Sequence, residues 1–551
     1  MKQCILLLLL GITLFVSAQS RPAPQKPKNE FAANMLSAAE AGASNLQGID
    51  RAYAYWLISR VFAGIDVRRE REVLKKSCEA ALAPDPDPAN STFRNKVQFD
   101  CIRRMKALQP KTASQLLAMA TAEVRQQILA EQAVKTARSG DLDTALTMLS
   151  SEIGQGARYP YEHALEMIRT LPTDDRSGKD RVFAQALGYY RQKQNRFDVG
   201  IEDLGTFVVR FWRELSPGLV LMAIDEILDT AREEDAADSH LELKLTSGSN
   251  VVMFGSLYQY RLFQLLPVIR AFDPSRADDL VQQNVQAGSA LAKYTSGLAS
   301  LSNSYSGAAA SDESFTMTFQ VGSGPGRTDS GTSMRTSEIY RHGNEILAAF
   351  GKDPDAALSN ALLLQDEPGP TGSPKAEALL RIAQLSEKNH PGVAVNALQE
   401  MNKLIENFST LDQCRYLILM GERYLRLKRP DLARSVVAEA MRKVKKLYEV
   451  DTNSDDPNLA LKSSWPSTAV SRACVSIATQ VSSKLADETI QDLPDPDLRV
   501  FARIERASGL VRMPSYPALI QERHKENRVY RILAFPIPSA QSQSVREQAM
   551  N

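Results

Sequence analysis

Apolar side chains recur at spacings of three and four along most of the chain, with Pro, Gly and Asp at the breaks, and this period predicts helices throughout. Residues 51 to 83 place Tyr55, Ile58, Val61, Phe62, Ile65, Val73 and Leu74 on such a stripe, which Pro84-Asp85-Pro86-Asp87-Pro88 stops. Thr92 to Leu108 repeats it with Val97, Ile102, Met105 and Leu108 before Pro110. Each segment reads as one helix of a hairpin. Two stretches leave the helical period. Leu241, Leu243 and Leu245 alternate with Glu242 and Lys244 ahead of Ser247-Gly248-Ser249-Asn250 and an apolar run to Phe254, the pattern of a β-hairpin. Residues 303–337 are rich in Ser, Gly and Thr and read as a flexible connection with room for one short strand, since Phe315, Met317, Phe319 and Val321 alternate with polar residues.

The helical segments repeat. A Leu-Pro break precedes a new amphipathic helix at Leu171-Pro172 and again at Leu493-Pro494, and Pro368-Gly369-Pro370 does the same before Ala376 to Leu385. Gly140-Asp141 leads into Ala145-Leu146, and Asp353-Pro354 into Ala357-Leu358. In segment 417–446, Gly421 is followed by Tyr424, Ala433 and Ala440 at three, twelve and nineteen residues. This spacing resembles the tetratricopeptide repeat, with Leu417 in place of the usual Trp and Lys445 where the closing Pro would stand. The resemblance implies two antiparallel helices brought close by the small residues, with the aromatic filling the gap beside them. Segment 129–152 is a poorer second copy that keeps Ala133, Ala145 and Leu149 but has Thr136 at the aromatic position.

The first residues bear on compartment. Lys2 is followed by an apolar run from Cys4 to Val16, broken by Gly11 and Thr13, and then by Ser17-Ala18. That layout is expected of a signal peptide cut after Ala18, because a membrane-spanning helix needs about 20 apolar residues. Cys4 precedes the run instead of closing it, which argues against a lipoprotein. The expected organisation is signal peptide 1–18, a Pro- and Lys-rich spacer 19–30, a helical-repeat domain 31–302, the linker 303–337, a tetratricopeptide-like domain 338–535 and a disordered tail 536–551. One continuous solenoid with 303–337 as a surface insertion is the alternative.

Removing Lys2 from the 66 basic residues leaves 65 against 65 acidic ones, a neutral mature chain without a nucleic-acid footprint. An exported chain meets oxidising conditions, so its cysteines bear on stability. Cys78 and Cys101 flank the Pro-rich break, and two antiparallel helices would bring them together for a disulfide, although offset by about one turn. Buried free thiols are the alternative.

Chemistry is sparse in the pattern. The five histidines are scattered, with no HExxH and no CxxC, so no metal site or cofactor is expected. Gly322-Ser323-Gly324-Pro325-Gly326 lacks the Lys-Ser/Thr ending of a phosphate loop and reads as linker. Tyr161-Glu162-His163 with Glu166 reads as a solvated helix face. Phe207, Phe211, Trp212 and Leu215 read as core, as do Tyr53, Tyr55 and Trp56. The charge runs Arg68 to Glu72, Arg442 to Lys446 and Arg523 to Lys525 read as solvated faces. The three tryptophans are few for a carbohydrate cleft.

The pattern as a whole predicts an all-α fold of helical hairpins, as a solenoid or two helical-repeat domains, with at most a small β-hairpin inserted. Such surfaces hold partners. The expected role is an exported, periplasmic or extracellular scaffold for a protein partner. The competing readings are an envelope enzyme directed at polysaccharide or peptidoglycan, and a passive structural component of the envelope.

Overall fold

The computed structural model describes residues 26–84, 91–192, 204–237, 241–247, 250–297, 316–321, 343, 345–347, 350, 351, 353–366, 373–454 and 461–511. The expected signal peptide and the tail 536–551 lie outside these, as does most of the linker. The fold is all-α. The first helices are α1 (Lys26–Ala43), α2 (Gly48–Phe62), α3 (Val67–Leu82), α4 (Ser91–Leu108), α5 (Pro110–Met119), α6 (Ala122–Arg138), α7 (Leu142–Ser150), α8 (Tyr161–Thr170), α9 (Arg176–Tyr190), α10 (Leu204–Phe211) and α11 (Pro217–Ala237). Strands β1 (Leu241–Ser247) and β2 (Asn250–Phe254) follow, then α12 (Leu257–Phe272), α13 (Pro274–Gln283), α14 (Val285–Lys293) and β3 (Thr316–Val321). The remaining helices are α15 (Pro354–Leu363), α16 (Pro374–Ser386), α17 (Pro391–Leu404), α18 (Thr410–Arg426), α19 (Pro430–Thr452), α20 (Pro466–Val481), α21 (Ser483–Gln491) and α22 (Pro496–Leu510).

The breaks in the sequence act as helix starts. Proline occupies the first turn of α5, α13, α15 to α17, α19, α20 and α22, where its missing N–H would have no partner and its fixed φ suits the helix. The residue before it often caps. Asp353 accepts from Ala356 N at 3.0 Å, and Ser373 accepts from Ala376 N at 3.0 Å. Segment 51–83 departs from the single helix expected of it. It forms two helices, because the chain turns at Gly64 and Ile65 and Asp66 accepts from Arg68 N and Arg69 N at 2.8 and 3.3 Å to start α3.

Each helix packs chiefly on the next and on the next but one, the contact pattern of a solenoid. The order in space differs from the order in sequence. The row runs α15 to α22 and then continues into α1 to α14, because α22 packs lengthwise on α1 and also meets α2. Three clusters fill the core, and single helices join them. Leu498 and Ala502 of α22 belong to the cluster of α15 to α21, while its Val500, Phe501, Ile504 and Ala507 belong to the cluster of α1 to α5. Likewise α6 gives Val124 and Ile128 to that cluster and Ala130, Ala133, Val134 and Ala137 to the next. The inner helices of the row are enclosed on all faces, since every residue is buried from Ala52 to Ser59, from Cys414 to Ile418 and from Val470 to Val475.

The β-hairpin is present and takes on β3 as a third strand. The order is β2-β1-β3 with both pairings antiparallel, Leu245 lying opposite Val252 on one side and Met317 on the other. Val252 and Phe254 are buried, and the Phe254 ring meets Phe263 of α12 at 5.3 Å. Met253 between them faces outward.

The junction between the first and last described helices is tight. A Cβ on Gly42 of α1 would sit 2.7 Å from Val500 Cγ2 of α22, so only glycine admits this approach. Asp50 of α2 adds a second tie. It is buried, and its two carboxylate oxygens accept from Lys462 N at 2.8 Å and Ser463 N at 2.9 Å in the turn before α20. Nearby, Lys462 Nζ bonds Asp497 at 2.6 Å and Tyr448 Oη donates to Asp495 at 2.6 Å, which knits α19, α22 and that turn together.

Gly42→Leu is expected to destabilise the protein by about 1–3 kcal/mol through overpacking, and Val500→Ala in the same chain is expected to recover part of the loss, as urea unfolding of the single and double variants would show. The Asp50 carboxyl is raised above its ordinary value of 3.8, burial outweighing the hydrogen bonds that favour its charged form. The folded chain therefore holds that proton to higher pH than the unfolded chain. Stability from this site is present at low pH and lost as pH rises from 3.8 through the raised value. Asp50→Asn is expected to flatten the change in urea midpoint between about pH 4 and pH 7, and parallel curves for the two proteins would contradict this.

Candidate functional site

The hairpin that carries the Gly421, Tyr424, Ala433 and Ala440 spacing is α18 with α19. Gly421, Tyr424, Ala433 and Ala440 are all buried in it. A Cβ on Gly421 would lie 2.8 Å from Ile477 Cδ1 of α20 and 3.3 Å from Val436 Cγ2 of α19, so the glycine governs two interfaces at once. The turn to α19 places Lys428 at φ 57, where non-glycine residues are strained. Segment 129–152 likewise straddles a hairpin, α6 with α7, in which Ala133, Ala145 and Leu149 are fully buried.

The enclosed inner helices carry buried charge. Arg472 of α20 pairs with Glu505 of α22 at 3.1 Å, both buried, and Arg506 pairs with Asp487 of α21. Lys179 of α9 is buried against Glu214 at 2.5 Å. Glu70 is also buried and bonds Arg104 at 2.6 Å. The run Arg68 to Glu72 is therefore only partly the solvated face its composition suggested: Glu70 points inward, while Arg69 spans Glu72 at 2.7 Å and Glu40 of α1 at 2.6 Å. These pairs fix helix register more than they add stability, because burying a charge offsets much of its attraction; both partners are buried in Arg472–Glu505, whereas Asp487, Glu214 and Arg104 reach solvent.

The other sequence candidates fall where core and surface readings placed them. Phe207, Phe211 and Leu215 are buried, with Trp212 packed edge-on to Phe272 at 5.4 Å. Tyr53, Tyr55 and Trp56 are buried around α2. His163 is half-buried between exposed Glu162 and Glu166. Arg523 to Lys525 lie outside the described residues. Among the described residues, no group of three His, Cys, Asp or Glu side chains could hold a metal ion.

Sequence reasoning passed over a concavity that lies between α9 and the start of α11. It is a shallow depression of about 490 Å³, lined by Arg176, Ser177, Asp180, Arg181, Ala184, Ser216 and Leu219. Local structure sets its chemistry. Asp175 caps α9 by accepting from Gly178 N at 2.8 Å, which exposes the next turn with Arg176, Asp180 and Arg181 on it. Asp180 accepts from Ser216 N at 2.8 Å and from Ser216 Oγ at 2.5 Å, so its charge is absorbed by the N-terminus of α11. What remains is cationic. Arg176 donates to the Arg213 carbonyl at 3.4 Å, and Arg181 pairs with exposed Asp143 of α7, a contact that water and salt weaken. Two guanidinium groups over an Ala184 and Leu219 floor suit a carboxylate on an apolar stem. The signal was in the sequence as the dense charge from Asp174 to Arg181, but a charged first turn reads as an ordinary solvated helix start.

No protein family and no curated protein matches the chain. Among the described residues, no helix is long and apolar enough to cross a membrane.

Gly421→Leu is expected to wedge α18 from both α19 and α20 and to destabilise the protein by about 1–3 kcal/mol. An unchanged calorimetric melting temperature would contradict the close packing assigned to this position.

Proposed function

We propose that the chain is an exported tetratricopeptide-like scaffold that holds a protein partner, and that the depression between α9 and α11 receives an acidic segment of that partner. The observation that supports the reading is the single stacked row of hairpins with shared helices between its cores, which makes a long surface whose parts stay in fixed relation. A rigid, extended surface suits holding partners, because little ordering is needed on binding. The arginines supply recognition. A carboxylate can displace the exposed Asp143 from Arg181 while Arg176, five residues earlier on α9, lines the same depression.

The test is cross-linking of the protein in its native envelope, followed by capture and mass spectrometry, with the wild-type chain beside Arg176→Glu/Arg181→Glu. A stoichiometric protein partner present with the wild type and reduced about tenfold or more with the double variant is the expected result, since reversing two charges replaces attraction with repulsion. Recovery of the wild-type protein alone, or with glycan fragments only, would overturn the scaffold reading. Fractionation of the cells tests export separately.

A further inference from the structure

Four buried cysteines lie on the row, and they are not equivalent. Cys78 of α3 and Cys101 of α4 are both fully buried free thiols on helices that pack against each other, and Cys101 Sγ donates to the Gln98 carbonyl at 3.3 Å. The backbone around them is held in place. Gln98 Nε2 donates to the Ala81 carbonyl at 2.9 Å, and Gln98 Oε1 accepts from Thr121 N at 3.3 Å, so α3, α4 and the start of α6 converge one turn from the thiols. Cys414 of α18 and Cys474 of α20 are as deeply buried and within electrostatic reach of each other, but α19 separates their helices in the chain, so they meet only once three helices have packed.

We propose that Cys78 and Cys101 form the one disulfide of the mature protein, closed as α3 and α4 come together and then sealed in the core, while Cys414 and Cys474 stay thiols. The bond forms by exchange with a disulfide, either that of a protein oxidant or oxidised glutathione. One cysteine thiolate attacks a donor sulfur to give a mixed disulfide, and the second cysteine then displaces the donor. Two S–H bonds are lost and one S–S bond is gained. Both protons and both electrons leave with the donor, which departs as two thiols. Timing follows from burial. Inside the folded core the Cys101 thiol is pushed well above the ordinary thiol range, by desolvation first and by Cys78 second, so it does not supply the thiolate that exchange needs. The bond therefore closes on the open chain, and once enclosed it is shielded from reductants. An oxidising compartment is needed in the cell, and there the proposal rests on the export reading.

Two arms test it. In the first, the full mature protein is isolated without reductant, alkylated in denaturant and mapped by mass spectrometry. Alkylated Cys414 and Cys474, with a linked peptide pair containing Cys78 and Cys101, is the expected result. In the second, reduced protein is either left folded or refolded from denaturant, both with oxidised glutathione. Refolding should give the linked peptides and a melting temperature several degrees higher than that of the refolded Cys78→Ser/Cys101→Ser variant. The protein left folded should not react. Four alkylated cysteines in both arms, or a bond joining either cysteine to Cys414 or Cys474, would overturn the proposal. Closure on refolding with four thiols in the native isolate would overturn the bond in the cell and count against export, while leaving the geometry of the pair standing.

Discussion

The fold depends on one helix pair formed by residues at opposite ends of the chain. Every other hairpin in the row joins helices that are neighbours in sequence, so loop closure there is short and entropically mild. The pair of α1 and α22 has no such advantage and relies on fit. Gly42 lets Val500 in, Phe501 and Ile504 pack among Leu36, Ala39 and Ile58, and Asp50 ties the α2 side to the turn before α20. Without this contact the two halves would each end in an uncovered apolar face. With it they form one row, and α22 belongs to two cores at once.

Local structure was legible in the sequence wherever chemistry is local. Asp353-Pro354, Gly140-Asp141 and Leu493-Pro494 marked helix starts because capping and the conformation of proline act within a few residues. The spacing of Gly421, Tyr424, Ala433 and Ala440 was legible because close helix pairs require small residues at their contact points. Where the signal was weaker, the reading slipped: the stripe over 51 to 83 continues through the turn at Gly64, so two helices looked like one. The order of the row was not legible at all. Gly42 and Val500 look like ordinary helix residues, and Asp50 looks like a polar position on an amphipathic face. The contact between them leaves no trace in either local pattern. The arginine-lined depression was hidden for a related reason, since what distinguishes Arg176 and Arg181 from other surface arginines is that Asp180 is already taken by Ser216.

The buried charges explain how so enclosed a row keeps its register. Apolar inner helices can slide past one another by a turn with little change in contact, whereas Arg472 with Glu505 and Lys179 with Glu214 each have one good position. Misregister would strand an ion in the core, which is far more unfavourable than a shifted leucine. The same logic holds at Glu70 and Arg104 on the helix pair that carries the two thiols, where the ion pair and the Gln98 amide set how α3 meets α4.

The pairing of α1 with α22 also sets a clock on biogenesis. Roughly 450 residues separate Ala43 from Pro496, and at ~5–20 residues per second the ribosome takes on the order of half a minute to a minute and a half to supply them. Throughout that interval Ala32, Leu36 and Ala39 have no α22 to cover them. A nascent chain with its leading helix bare for so long invites self-association, so its yield should depend on whatever shields that face until the final helix arrives.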